Sequence, residues 1–339
     1  MTTSATNHPL RAAVGASADR PKRAERPEEN LDMPAGLPLG TRVANLIVIL
    51  VPLAGLLAAM VYAWGWGLGW TELAILAVMY AVTGFGVTIG YHRLFTHRSF
   101  EAGPVLTTLL GVAGSMSVEG SILRWVSFHR AHHQHSDQHD DPHSPHNHGG
   151  GFRNILRGAW HAHAGWMFET VTPDLDRYVP DLRKDPLVRT LSRLFPLWAA
   201  LGLIIPAVAG GLITMSWTGA FLGFLWGGLV RVLLVHHVTW SVNSICHLWG
   251  TRPYRSHDES RNNVIVGVLA LGEGWHNNHH AFPTSARHGL HWWQIDLSWI
   301  VIWAMKKVGL VRKVRVPTAD RLEAKRNGTD IATPAEPAA

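Results

Sequence analysis

Three histidines stand within five positions in the stretch GEGWHNNHHAFP, residues 272–283. At helical pitch His276, His279 and His280 occupy positions i, i+3 and i+4 and share one face. Neutral imidazole binds a metal through one ring nitrogen, so a helix loaded this way aims three donors at one region. FHRAHHQHSD repeats the spacing with His129, His132 and His133, and GYHRLFTHRSF adds His92 and His97. These last two are five apart and share no face of a regular α-helix, so the spacing predicts that a helix ends or distorts between them. In VNSICHLWG, Asn243 and His247 are spaced i, i+4. His247 is a ninth candidate ligand, and Asn243 would hold a ligand or a bound water. Nine imidazoles over-supply one transition ion, which takes about four to six ligands, and suit two. All-nitrogen ligation fits iron, copper or zinc and excludes calcium and magnesium.

The elements that must position these groups are apolar. Of 339 residues, 47% are hydrophobic and only 16% charged, unusual for a soluble chain. Four runs approach membrane-spanning length: about residues 43–64, 73–90, 195–215 and 221–238. The short turns GWGLGW and SWTG join them in pairs. A Gly-rich run, Val105 to Val118, is too short to span and reads as re-entrant or surface-lying. The stretch 292–310, interrupted by Asp296 and ending in Lys306 and Lys307, predicts an interfacial helix over about 292–308. Residues 1–40 and 317–339 lack apolar periodicity and read as disordered tails flanking a membrane domain at 41–316. No cleavable signal peptide is expected, because the first apolar run begins only after residue 42.

Charge sets the orientation. Six Lys/Arg precede the first run, eleven lie in residues 92–194 and twelve in 252–339, while the two short turns hold none. The positive-inside rule places both termini and the long middle segment in the cytoplasm. Trp64, Trp66, Trp70 and Trp217 then form an aromatic belt at the opposite interface. All the histidine clusters fall on the cytoplasmic side. The predicted fold is an all-α integral membrane protein, four transmembrane helices under a cytoplasmic helical cap that holds the metal. The net charge of +6 belongs to this topology and implies no nucleic acid. The single cysteine, Cys246, excludes an internal disulfide and any four-cysteine zinc or iron–sulfur site, and reads as a small buried residue.

These motifs carry a resemblance. HRLFTH (His92–His97), HRAHH with DPH (His129–His143), NSICH (Asn243–His247) and GEGWHNNHH (Gly272–His280) resemble, in order and spacing, the stearoyl-CoA (acyl-CoA Δ9) group of membrane fatty-acid desaturases, with RPY at Arg252–Tyr254 and FP after the last box also fitting. The resemblance covers roughly residues 40–310. It implies two iron ions held by His92, His97, His129, His132, His133, His247, His276, His279 and His280, with Asn243 acting through a water. It further implies O2-dependent removal of two hydrogens from a saturated acyl chain carried by CoA, acyl carrier protein or lipid. Electrons would come from a separate donor of the ferredoxin, cytochrome b5 or reductase type, since no haem segment, dinucleotide motif or cysteine set is visible. A bacterial cell membrane is the expected location. In the animal acyl-CoA enzymes Arg and Asp precede the first histidine of the second box and help hold the CoA headgroup; here Ser127 and Phe128 stand there, which leaves the carrier open. A membrane hydroxylase with the same metal site is the alternative. A metal transporter would need ionisable ligands inside the spans, and these are almost bare.

The remaining polar residues have blander readings. His135, His139, His143, His146 and His148 form a solvated loop, and His161 and His163 are partly buried structural residues. His236 and His237 snorkel to the interface. Arg231, costly at membrane depth, pairs with a carboxylate or a lipid headgroup. Asp137, Asp140 and Asp141 either accept from ligand imidazoles or cap a loop.

Overall fold

The structure, a computed structural model, describes residues 37–63, 67–169 and 172–328. Residues 1–36 and 329–339 of the two tails, and Trp64 and Trp66 of the expected aromatic belt, lie outside the described residues. Four helices are long and apolar enough to cross a membrane: Leu39–Ala63, Trp70–Thr96, Phe195–Thr214 and Trp217–Leu248. The first and third are only 17% buried and present apolar flanks outward, whereas the fourth is 67% buried and forms the interior. Trp70 and Trp217, at the starts of the second and fourth helices, point almost fully outward.

The second and fourth helices outrun their apolar runs. The fourth has 32 residues, about 48 Å at 1.5 Å per residue, against roughly 30 Å of bilayer hydrocarbon. Hydropathy marks the stretch that lipid covers, and the helix itself continues while its polar residues find partners. The surplus turns lift Asn243 and His247 beyond the apolar section. From Gly86 to Thr96 the second helix widens into π-helical hydrogen bonding, and the His97 N–H donates to the His92 carbonyl five residues back at 3.1 Å. The distortion expected between those histidines is therefore a widening that keeps the helix unbroken.

Two shorter helices complete the floor of the cap. The Gly-rich run forms Pro104–Ser115, 12 residues and too short to span. It crosses the second helix at glycines: a Cβ on Gly86 would lie 2.1 Å from the Gly114 nitrogen. The interfacial helix is Leu297–Lys307, starting later than expected because Asp296 caps it, accepting from the Trp299 N–H at 2.9 Å. Helix Ile122–His135 carries the second histidine cluster. Its Ile122 and Val126 pack with Tyr91, Phe95, Leu182 and Leu191, and the same stripe continues to His129 and His133. A two-stranded antiparallel pairing of Glu101–Ala102 with Val311–Arg312 ties the end of the cap to the segment after the second helix. The ordered chain passes the expected boundary at 316: helix Ala319–Asn327 follows, with Leu322 packed against Tyr254 and Phe282. Its polar composition hid it, because only one face is covered.

Arg231 has neither of the partners expected for it. It is fully buried, and its guanidinium donates to the carbonyls of Met116 at 2.8 Å, Gly202 at 2.6 Å and Gly227 at 3.2 Å. Close helix packing at Gly202 opens that carbonyl to it. His236 does not snorkel either. It is buried, with Nε2 2.9 Å from the Ser117 carbonyl, whereas its neighbour His237 is exposed.

Candidate metal centre

The nine histidines singled out by spacing converge, and they divide into two groups. His92, His97, His129, His133 and His279 place one ring nitrogen each within 4.8 Å of one another, and so do His132, His247, His276 and His280. The two HxxHH motifs each serve both groups, while His92 and His97 fall in the first and His247 in the second. His129 and His133 turn to the first group and His132 to the second; His279 turns to the first, and His276 and His280 to the second. That is the geometric use of i, i+3, i+4: one helix faces two adjacent centres. The π-helical turn brings the His92 and His97 rings to 4.8 Å. The groups abut where His133 and His280 stack at 4.4 Å.

Carboxylates fix the tautomers. His92 Nδ1 is 2.5 Å from Glu273, His132 Nδ1 3.0 Å from Asp141, His247 Nδ1 2.8 Å from Asp137 and His280 Nδ1 2.5 Å from Asp258. An ionised carboxylate only accepts, so in each ring Nδ1 carries the proton and Nε2 presents its lone pair inward. Burial raises these acids, but the partners prevail: Asp137 is held down to about 2 by His247, and Glu273 well below its usual range by Arg93 and His92. Burial, and then the neighbouring imidazoles, hold His129, His133, His276 and His279 well below ordinary histidine basicity. Those four rings are held neutral, the form that binds metal; at His132 burial opposes the charge, but Asp141 prevails and raises the ring.

The inward nitrogens fit metal ions. Nε2 to Nε2 separations are 3.0 Å for His92–His279, 2.9 Å for His279–His133, 3.1 Å for His247–His276 and 3.0 Å for His276–His280. Two nitrogens each about 2.1 Å from a shared ion, at a right angle, stand about 3.0 Å apart. Lone pairs facing each other at that distance without a cation repel. Among the described residues, Nε2 of His97 and of His132 are buried without a hydrogen-bond partner, as expected of atoms reserved for a ligand bond. The donor set is all imidazole, suited to transition metals.

An apolar cavity of about 210 Å³ reaches His129 and His143. Trp125, Phe128, Trp166 and Trp240 wall it, and Glu119, Arg124, Thr239 and Asn243 add polar points. Trp125 stacks on His129 at 5.0 Å and donates its indole N–H to Glu119 at 2.9 Å. Burial pushes the Glu119 carboxyl up to about 7. Asn243, one turn before His247, opens onto this cavity.

Several residues depart from the sequence reading. His143 is buried rather than solvated, its ring 4.4 Å from His132, and His146 Nε2 lies 2.9 Å from the His247 carbonyl. Asp137 and Asp141 hold ligand-type imidazoles, while among the described residues Asp140 pairs with exposed His139. Glu273, Asp258 and His288 were missed. Glu273 also accepts from buried Arg93 at 2.6 Å, and Arg93 continues to Asp296 at 3.1 Å. The His288 ring lies 4.5 Å from His279. Only Glu273 carried a signal, its place three residues before His276; the others are joined to the site by tertiary folding alone.

The family model for fatty acid desaturase matches residues 68–313. A hex-5-enoyl-[acyl-carrier protein] acetylenase of Moorena producens (strain JHB) is 41% identical over 283 residues, 83% of this chain and 88% of that protein. An acyl-CoA C20 Δ5-desaturase of Anemone leveillei is 38% identical, covering 74% of this chain and 75% of the relative. An sn-1 stearoyl-lipid 9-desaturase of Anabaena variabilis is 37% identical, covering 73% of this chain and 85% of the relative. With four membrane-length helices, a paired histidine centre and these matches over most of its length, the chain belongs to the fatty acid desaturase family and is an oxidoreductase of fatty acyl chains.

Proposed function

We propose that the chain desaturates a saturated long-chain acyl group at Δ9, using O2 and two iron ions. His92, His97, His129, His133 and His279 would hold one ion, and His132, His247, His276 and His280 the other, with Asn243 contributing through a water. The observation that carries this is the pair of inward-facing imidazole groups with carboxylate-fixed tautomers beside an apolar cavity. When bound, the metal pair supplies, with O2, the oxidising power to take hydrogens from unactivated methylenes, which no acid–base side chain can do.

The chain's own residues do the rest. Glu273, Asp141, Asp137 and Asp258 keep the proton on Nδ1 and aim Nε2 inward. Trp125, Phe128, Trp166 and Trp240 exclude water and shape the path of an acyl chain past His129. Methylene specificity then follows from how far along this wall the chain is gripped. The acyl carrier is CoA, acyl carrier protein or lipid; Phe128 gives no hydrogen-bond acceptor for a CoA headgroup. Two electrons per turnover come from a separate donor of the ferredoxin, cytochrome b5 or reductase type. The location proposed is a bacterial cell membrane, and the charge distribution supports an orientation with both termini and the metal centre cytoplasmic.

The test is expression in a host with a mostly saturated acyl pool, with acids profiled by gas chromatography and mass spectrometry and His276→Ala as control. A mono-unsaturated acid absent from the control supports the reading and gives the bond position. A hydroxylated acid instead moves the protein to hydroxylation at the same centre, and no oxidised product with a co-expressed donor overturns it.

A further inference from the structure

A second cavity reaches the histidine cluster from a different side. It measures about 660 Å³ and is lined by Thr96, His97, Arg98, by Phe282, Thr284 and Ser285, and by residues 314–317 with Arg321. Three features set it apart from the aromatic cavity. Three arginines line it and no carboxylate does. Arg315 and Arg321 are exposed. Arg98 pairs with Asp181, but Asp181 also binds Arg130, so that acid is shared between two guanidinium groups. Asp320 and Glu323 flank Arg321 in sequence, at i−1 and i+2, and so lie on other faces of its helix. The floor is His97, the one histidine of the nine that lines this cavity, and its ring stands 4.6 to 5.3 Å from those of His92, His129, His133 and His279.

We propose that this basic funnel is the docking site of an acidic one-electron carrier protein, which delivers electrons to the metal centre past His97. This rests on the desaturase reading. Forming the double bond consumes O2, two electrons and two protons, removes two hydrogens from adjacent methylenes and releases two waters, so a one-electron carrier must dock twice per turnover. Each docking must be brief and repeatable. Surface charge complementarity serves that need, because it speeds encounter without a large buried area. The funnel offers the carrier a positive mouth and a route that ends on His97, itself a member of the cluster. The acyl chain has its own apolar entry against Trp125 and Trp166, so the two reactants do not compete for one opening.

The test uses the full chain, iron-loaded, in uncharged lipid nanodiscs, with an acidic [2Fe–2S] ferredoxin as probe. Its association is measured by interferometry, and turnover is driven either by that ferredoxin or by dithionite, which needs no docked protein and is used without air, its excess being removed before O2 is added. The variant is Arg315→Glu with Arg321→Glu; both side chains are exposed, and the Arg→Gln pair serves as a milder second variant. Expected at low ionic strength is a roughly tenfold rise in both the ferredoxin Kd and its KM relative to the dithionite reference, fading at high salt, with a smaller shift for the Gln pair. Unchanged ferredoxin binding overturns the proposal. So does a rise in acyl-substrate KM that is equal under both reductants, which would assign the arginines to phosphate groups of the acyl carrier. If the unmutated enzyme makes no oxidised acid even with dithionite, the desaturase reading fails, and the binding measurement still decides whether an acidic carrier docks here.

Discussion

Asp258→Asn isolates the tautomer-fixing role of one carboxylate. The Asp258 side chain is fully buried; it accepts from His280 Nδ1 at 2.5 Å and from the Ser260 N–H at 3.1 Å and hydroxyl at 2.5 Å. An asparagine has one oxygen and one NH2 for these positions. Either orientation sets an N–H against another N–H, facing His280 or facing Ser260. If the oxygen stays with Ser260, His280 must move its proton to Nε2, the atom that faces His276 at 3.0 Å, and a metal must then displace it. Loss of such a partner weakens metal binding by about 10- to 100-fold, which is about 1.4–2.7 kcal/mol. The effect should fall on one group only, since among the described residues Asp258 hydrogen-bonds to no member of the five-histidine group. The assay is metal content by mass spectrometry after dialysis against graded chelator. The expected curve is biphasic, half of the metal leaving at roughly tenfold lower chelator or less and half as in the unmutated protein. Parallel loss of both halves, or an unchanged curve, refutes the tautomer argument.

Three further outcomes follow from the same geometry. Gly86→Leu forces a side chain into the Gly114 backbone, so folded protein should fall sharply in fluorescence-detected size exclusion, whereas Gly40→Ala, in open space, should be neutral. The metal-free protein should lose thermal stability as pH falls below about 6.5, the ordinary histidine value. His129, His133, His276 and His279 resist protonation when folded, so the unfolded chain binds more protons there, at roughly 1.4 kcal/mol per pH unit for each; a melting temperature flat across that range contradicts it. Glu119→Gln should raise the melting temperature above the residue's pKa of about 7 and leave it unchanged below the usual carboxylate range, because ionising the buried acid costs only the folded state; an effect of equal size at both ends sinks this account.

The spans and nine histidines were legible because both signals are local. A run of apolar side chains needs no knowledge of its neighbours, and i, i+3, i+4 spacing is a property of one helix. What the sequence could not display was the pairing between segments. Asp258 and His280 are 22 positions apart with nothing in either motif to join them, and Arg231 is satisfied by carbonyls, which every residue has. His143 looked solvated because its local composition is polar, yet Asp141 and His132 draw it inside. Helix Ala319–Asn327 was hidden for the converse reason: its contact with the cap uses few apolar residues.

The division of the two HxxHH motifs between the two histidine groups makes the site a fastener. Ligands on the second helix, the fourth helix, Ile122–His135 and His276–Ala281 are separate pieces of chain, and a bound ion in either group ties at least three of them together. Because ions held this way would bind the assembled cap and find no such cage in the unfolded chain, each would contribute its binding energy to folding. The cell's metal supply would then govern how long the enzyme survives as well as how fast it works: a starved cell would hold a loosened cap open to proteases, and would shed an enzyme it could not load.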